Sequence, residues 1–270
     1  MQWGLLLILC GVCAVLCAVG FYKFVYFLSI GYGFAIAGGS IAVLIMILSR
    51  GWGGGLTWLA ILQTILFIAY GARLSGFLLI REIKSISYRK TMKNDIGAEK
   101  KMPVFVLITI WVSVAVLYTI QLSPMLYRFS NGAKDVALPL IGIAISAAGL
   151  ILEAAADAQK SAQKKENPNS VAMKGLYKIV RCPNYLGEII FWTGVFVGGL
   201  TAYELAGQWI LAIVAYVCIV YIMFNGAQRL EKRQMGRYGK DPAYQAYANS
   251  TPILLPLVPL YHLNKAEEKK

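Results

Sequence analysis

At 270 residues the chain is 58% hydrophobic and only 14% charged. Soluble domains hold roughly 45–50% apolar and about 25% charged residues, and the apolar residues here gather into runs near the ~20 needed to cross a bilayer. The composition excludes an ordinary soluble domain and predicts an all-α, polytopic membrane bundle. Residues 1–270 form one integral membrane domain, because little chain remains for a separate soluble one. A single histidine, His262, excludes metal centres built from several imidazoles, and no metal is expected. Cys10, Cys13, Cys17 and Cys218 lie in apolar runs and read as packing residues.

In chain order the apolar segments run from about Leu5 to Phe21, Phe24 to Leu48, Leu56 to Ile80, Pro103 to Leu122, Val136 to Ala156, Leu186 to Leu200 and Leu205 to Phe224, which predicts seven spans. The first lacks the positive n-region of a signal peptide and another span follows at once, so a retained helix is expected. Of the 26 basic residues, 22 fall in alternate loops: Lys23, the stretch Arg81–Lys101, the stretch Lys160–Arg181 and the tail after Phe224. Seven spans then place the N-terminus outside and the C-terminus in the cytoplasm. The formal charge of +13 is therefore a topology signal rather than a nucleic-acid footprint. The GWGGG stretch from Gly51 to Gly55 has neither a preceding strand nor the spacing of a phosphate loop, and reads as an outer turn.

Three cytoplasm-facing segments carry polar chemistry. Glu153, Asp157, Lys160 and Lys164 are spaced i, i+4, i+7, i+11 and share one helical face at the end of the fifth span. That face reads as the polar wall of a cofactor cavity or as a snorkelling helix end. Next, Arg181-Cys182-Pro183-Asn184-Tyr185-Leu186-Gly187-Glu188 opens the sixth span. Pro183 suits the first helical position, the unpaired N–H groups of such an end attract phosphate, and a carboxylate in a span is by default functional or tightly paired. After the seventh span come Arg229, Glu231, Lys232, Arg233, Arg237, Tyr238, Tyr244 and Tyr247. A basic juxtamembrane helix ordinarily contacts anionic lipid, but three convergent segments suit a large anionic, aromatic cofactor.

The residues Asp157-Ala158-Gln159-Lys160, then GLYKIVRCPNYLGE (Gly175 to Glu188), then RYGKD…YQAY (Arg237 to Tyr247), resemble the membrane steroid reductases. That grouping holds the steroid 5α-reductases, the sterol reductases and bacterial relatives of unassigned function. The resemblance covers roughly residues 150–257 and extends weakly to Tyr70-Gly71-Ala72-Arg73-Leu74 in the third span. It implies an enzyme of a bacterial cell membrane that reduces an activated C=C bond of a steroid or other lipid-like substrate by hydride transfer from NADPH. It further implies that Lys160 and Lys164 bind phosphate. Tyr177, Asn184, Tyr185 and Glu188 then surround the nicotinamide and ribose, and Asp157 and Arg181 are counted among the cofactor-binding residues. Arg233, Tyr238 and Tyr247 form the C-terminal half of the cofactor site. Tyr70 matches a tyrosine that hydrogen-bonds the substrate carbonyl. By this reading the helices of about 1–135 serve the substrate and residues of about 136–260 the cofactor.

Elementary chemistry agrees, since hydride transfer needs a fixed nicotinamide, a polarised acceptor and a proton donor. Tyr70 is the candidate donor, and Arg73, one turn on, favours developing negative charge. Two positions depart from the pattern. The second span, Phe24 to Leu48, lacks the acid that holds a 3-keto group in the 5α-reductases, with Gln63 a conjectural substitute, and Cys182 stands where relatives carry histidine. The alternative is a membrane methyltransferase of the isoprenylcysteine or phospholipid type, which shares a similar helix start but binds S-adenosylmethionine. A non-enzymatic scaffold is the third reading. Neither nucleic acid nor an obligate protein partner is expected.

Overall fold

The structure, a computed structural model, describes residues 3–84 and 103–264, including every side chain but those of 81–84. The basic side chains between Arg81 and Lys101, one of the topology signals, lie outside the described residues. Among the described residues there are eight α-helices and no strand: α1 Trp3–Cys17, α2 Ile30–Ser49, α3 Thr57–Lys84, α4 Val104–Ser130, α5 Ala137–Glu166, α6 Pro183–Gly199, α7 Ala206–Tyr238 and α8 Pro242–Ser250. Short 3₁₀ turns at Ala18–Phe21 and Phe24–Leu28 join α1 to α2. The second apolar run therefore breaks before Ile30 instead of forming one helix from Phe24.

Six helices are long and apolar enough to cross a membrane: α1 to α5 and α7. Helix α6 has 17 residues, a length of about 25 Å at 1.5 Å per residue, short of a hydrocarbon core of about 30 Å. Its first residue is Pro183, whose missing N–H is harmless at that position. Helices α5 and α7 run well past their apolar parts, to Glu166 and Tyr238. Their polar residues are thus held on rigid helix rather than on loop.

The chain forms two compact units, Met1–Ile143 with Phe196–Ala215, and Ala144–Val195 with Tyr216–Lys270. In the first, α2 packs against α1, α3 and α4. Lipid tails are as apolar as leucine, so helix association in a membrane depends on close backbone approach and interhelical hydrogen bonds. Both occur here. A Cβ on Gly71 of α3 would stand 2.3 Å from the Gly33 carbonyl oxygen of α2, and Ser75 Oγ donates to the Ile30 carbonyl at 2.8 Å. Tyr118 of α4 donates to the Phe27 carbonyl at 2.6 Å. At the far end of α4, Arg128 is 2% exposed and pairs with Asp135 at 2.9 Å. Its Nη2 donates to Gly198 O and Thr201 Oγ1, both at 2.8 Å. The arginine thereby ties residues 196–215 into this unit.

In the second unit α5 and α6 cross as closely. A Cβ on Gly149 would lie 2.5 Å from Phe191 N, and Ser146 Oγ donates to Phe191 O at 2.8 Å. The chain after α8 returns to the start of α6, where Arg181 N–H and Cys182 N–H donate to Pro252 O and Ile253 O at 2.8 and 2.9 Å.

Candidate functional site

The polar face of α5 organises the second unit. Gln159 Oε1 accepts from Leu176 N–H at 2.8 Å, and Gln163 Oε1 accepts from Met173 N–H at 2.9 Å and Lys174 N–H at 3.0 Å. These bonds hold the 171–178 segment along the helix. One turn apart on the same face, Lys160 and Lys164 line a cleft with Tyr177, Arg181, Asn184, Gln234 and Tyr238. The i, i+4 spacing that predicted a common face therefore places both lysines at one cavity.

The cleft is small, about 40 Å³, room for a water or two. Lys164 closes it. Its Nζ donates to the Ser170 carbonyl, to the Pro168 carbonyl at 3.2 Å and to the Tyr238 hydroxyl at 3.1 Å. The ammonium also lies 5.5 Å from the centre of the Tyr238 ring, a cation–π contact.

Arg181 forms the buried wall and is 2% exposed. Its Nη2 donates to Glu231 Oε1 at 2.8 Å and to the Tyr261 carbonyl. Nε and Nη1 are buried and make no hydrogen bond among the described residues. A buried guanidinium with unmet donors costs free energy unless an acceptor reaches it. The buried Tyr244 hydroxyl lies beside Arg181: burial raises its pKa, and the charge and proximity of the guanidinium oppose the rise.

Glu231 is the anchor of this wall. It is 2% exposed, and besides Arg181 it accepts from Leu263 N–H at 2.9 Å, Asn264 N–H at 3.0 Å and Asn264 Nδ2 at 2.8 Å. His262 Nδ1 lies 2.9 Å from Oε1, and its Nε2 lies 2.9 Å from Asn249 Oδ1. The single histidine thus belongs to a structural network that no local spacing announces.

Six of the predicted cofactor residues line the cleft: Lys160, Lys164, Tyr177, Arg181, Asn184 and Tyr238. The Tyr177 hydroxyl donates to Ala156 O at 3.2 Å, and burial, then the Asp157 charge, pushes its pKa up. The remaining five are not among the residues that line the cleft. Asp157 is half-buried on α5, and Arg233 is exposed. Tyr247 donates to Tyr177 O at 2.7 Å. Tyr185 lays its ring against Gly226. Glu188, 5% exposed, accepts from Trp192 Nε1 at 3.0 Å. Cys182 is 2% exposed, and burial pushes its thiol up to about 12. It is a packing residue. Gln234 and Leu230 also line the cleft, and the same i, i+4 rule applied backwards from Tyr238 finds both.

Tyr70 and Arg73 belong to the first unit. Tyr70 is fully buried, with its ring edge-on to Tyr32 at 5.8 Å. Tyr32 in turn stacks on Tyr118 at 4.8 Å. Where the second apolar run lacks an acid, α2 therefore presents a tyrosine to Tyr70. Gln63 is half-buried on α3.

No curated protein and no solved structure matches the chain. A family model described as "Protein of unknown function (DUF1295)" matches residues 32–251, which include the α2–α3 crossing and every residue lining the cleft. The chain is an all-α membrane protein that belongs to this DUF1295 family.

Proposed function

We propose that the protein is an NADPH-dependent membrane reductase that transfers a hydride to the activated C=C bond of an enone in a steroid or other lipid-like substrate. One observation carries the reading. Lys160, Lys164 and Arg181 meet at a single cleft, and two buried guanidinium nitrogens of Arg181 make no hydrogen bond among the described residues. Lysine and guanidinium donors gathered in one cleft suit an anion, and phosphate oxygens satisfy both kinds of donor well. Asn184 and the tyrosines supply neutral contacts of the kind a nucleotide uses. The resemblance to the steroid reductases assigns these positions to NADPH, which supplies the hydride when bound.

The chain's own residues then divide the work. Lys160, Lys164 and Arg181 bind phosphate. Tyr177 and Tyr238 wall the cleft, and Tyr247 holds the Tyr177 backbone. Tyr70 delivers the proton and Arg73 favours the negative charge that forms before it arrives. Ligand sites typically measure about 300–1,000 Å³, so binding requires Lys164 to release the carbonyls of Pro168 and Ser170. The ammonium that closes the cleft is by this account the group that opens to take phosphate.

The test is a titration of purified protein with NADPH and, separately, S-adenosylmethionine, followed by thermal stability. A ligand at 100 times its Kd stabilises by about 2.7 kcal/mol. NADPH should shift the midpoint, and Lys164→Ala should weaken it by about 1.5–3 kcal/mol, the scale of a charge-assisted hydrogen bond. S-adenosylmethionine has no phosphate for the lysines. A shift with S-adenosylmethionine alone overturns the reductase reading in favour of a methyltransferase, and a shift with neither removes both.

A further inference from the structure

Past the apolar part of α7 the chain is polar and basic, with one interruption. Pro252 to Leu260 reads PILLPLVPL, nine residues without a polar or charged side chain. An apolar run too short to span is of the length used by interfacial and re-entrant segments. Ile253 and Leu254, 1% and 0% exposed, are buried in a cluster against which Val220, Met223 and Phe224 pack. Those three residues end the apolar stretch of α7, so the segment lies alongside the end of a membrane-crossing helix.

Both ends of the segment are pinned. Arg181 and Cys182 hold its start through backbone bonds, and Ile253 N–H donates to Leu260 O at 2.9 Å. Beyond it Leu263 and Asn264 are tied to Glu231. Between the pins the turn Pro256–Pro259 is exposed throughout, and Leu257 is 99% exposed. Leu257 also has φ 66°, the one positive value at a non-glycine position among the described residues. Glycine or asparagine adopts that conformation more easily. An exposed leucine held there is disfavoured in water both by its apolar surface and by its backbone, and a contact that removes the side chain from water offsets the first cost.

We propose that the Pro256–Pro259 turn inserts into the interfacial layer of the bilayer that α1 to α5 and α7 cross. The turn has no polar side chain with which to address a protein surface. Its two prolines lack backbone N–H groups, and Leu260 N–H is tied to Val258 O at 2.7 Å, which lowers the cost of leaving water. The turn closely follows Ile253 and Leu254, whose cluster packs with Val220 and Phe224 at the end of the apolar part of α7. Insertion anchors the strap whose next residues, Tyr261 and His262, contact Arg181 and Glu231.

The experiment places a nitroxide at Leu257→Cys, and in a second protein at Val258→Cys, in a Cys10→Ser, Cys218→Ser background reconstituted in phosphatidylcholine nanodiscs. Lys240→Cys, an exposed position between α7 and α8, is the aqueous control. An inserted turn gives an oxygen-to-nickel-chelate collision ratio several-fold above that of Lys240→Cys. A ratio equal to the control at Val258→Cys, which leaves the left-handed residue untouched, overturns insertion.

Discussion

Replacing Glu231 by alanine removes the acceptor on which the end of the chain converges. The side chain is 1% exposed and pairs with an equally buried Arg181 at 2.8 Å. Three further N–H groups, from Leu263 and Asn264, donate to its other oxygen. Charge-assisted hydrogen bonds contribute about 1.5–3 kcal/mol each, but bonds sharing one carboxylate do not add. The better guide is the loss on breaking a buried ion pair by removing one partner, about 3–5 kcal/mol. At roughly 2–4 °C per kcal/mol for a protein of this size, the apparent midpoint should fall by about 6–20 °C. Glu231→Gln should also destabilise, because either orientation of its amide turns an N–H toward a donor. Thermal unfolding in nanodiscs measures the loss. Limited proteolysis of the C-terminal segment should show it opening first, as local units do when their own contacts are removed. A midpoint within about 2 °C of the parent protein, with the tail still protected, would refute the account of Glu231 as the residue that holds the cleft wall.

Tyr70→Phe should lower turnover of an enone lipid by about 10²–10⁴, the worth of positioned proton donation, while NADPH affinity stays within about twofold; unchanged turnover makes Tyr70 a packing residue. Gly71→Ala should destabilise by about 1–3 kcal/mol through overpacking, because its Cβ meets the Gly33 carbonyl at 2.3 Å, and an unchanged midpoint would disprove the close α2–α3 crossing. Cys182 should resist maleimide at pH 7.5 in the folded protein, since burial pushes its thiol up to about 12 and the thiolate is the reactive form. Its labelling at the rate of an exposed cysteine contradicts the packing role.

Much of the candidate site was legible in the chain because its signals are local. Lys160 and Lys164 share a face by helical spacing alone. Pro183 marks the start of α6 through a property of its own backbone, and Asn184 follows it into the first turn. The charge-free runs show as helices because unsatisfied backbone is intolerable in hydrocarbon. Where reading stopped, the missing information was nonlocal. Ser29 separates a 3₁₀ turn from α2 within one uninterrupted apolar run, and hydropathy is blind to that break.

What the sequence determined by itself is therefore the class of the molecule and the membership of its polar faces. Composition dictates a membrane bundle, and periodicity dictates which lysines, arginines and tyrosines lie on which side of a helix. Only the tertiary structure decided which faces meet. Arg181 and Glu231 are 50 residues apart, and Glu231 and Asn264 are 33 apart. Tyr70 meets Tyr32 only because Gly33 and Gly71 let α2 and α3 approach to backbone contact. Such pairings depend on where the chain returns after a turn. Helical period carries no record of that return, and it is set by the packing of small residues and the burial of charge.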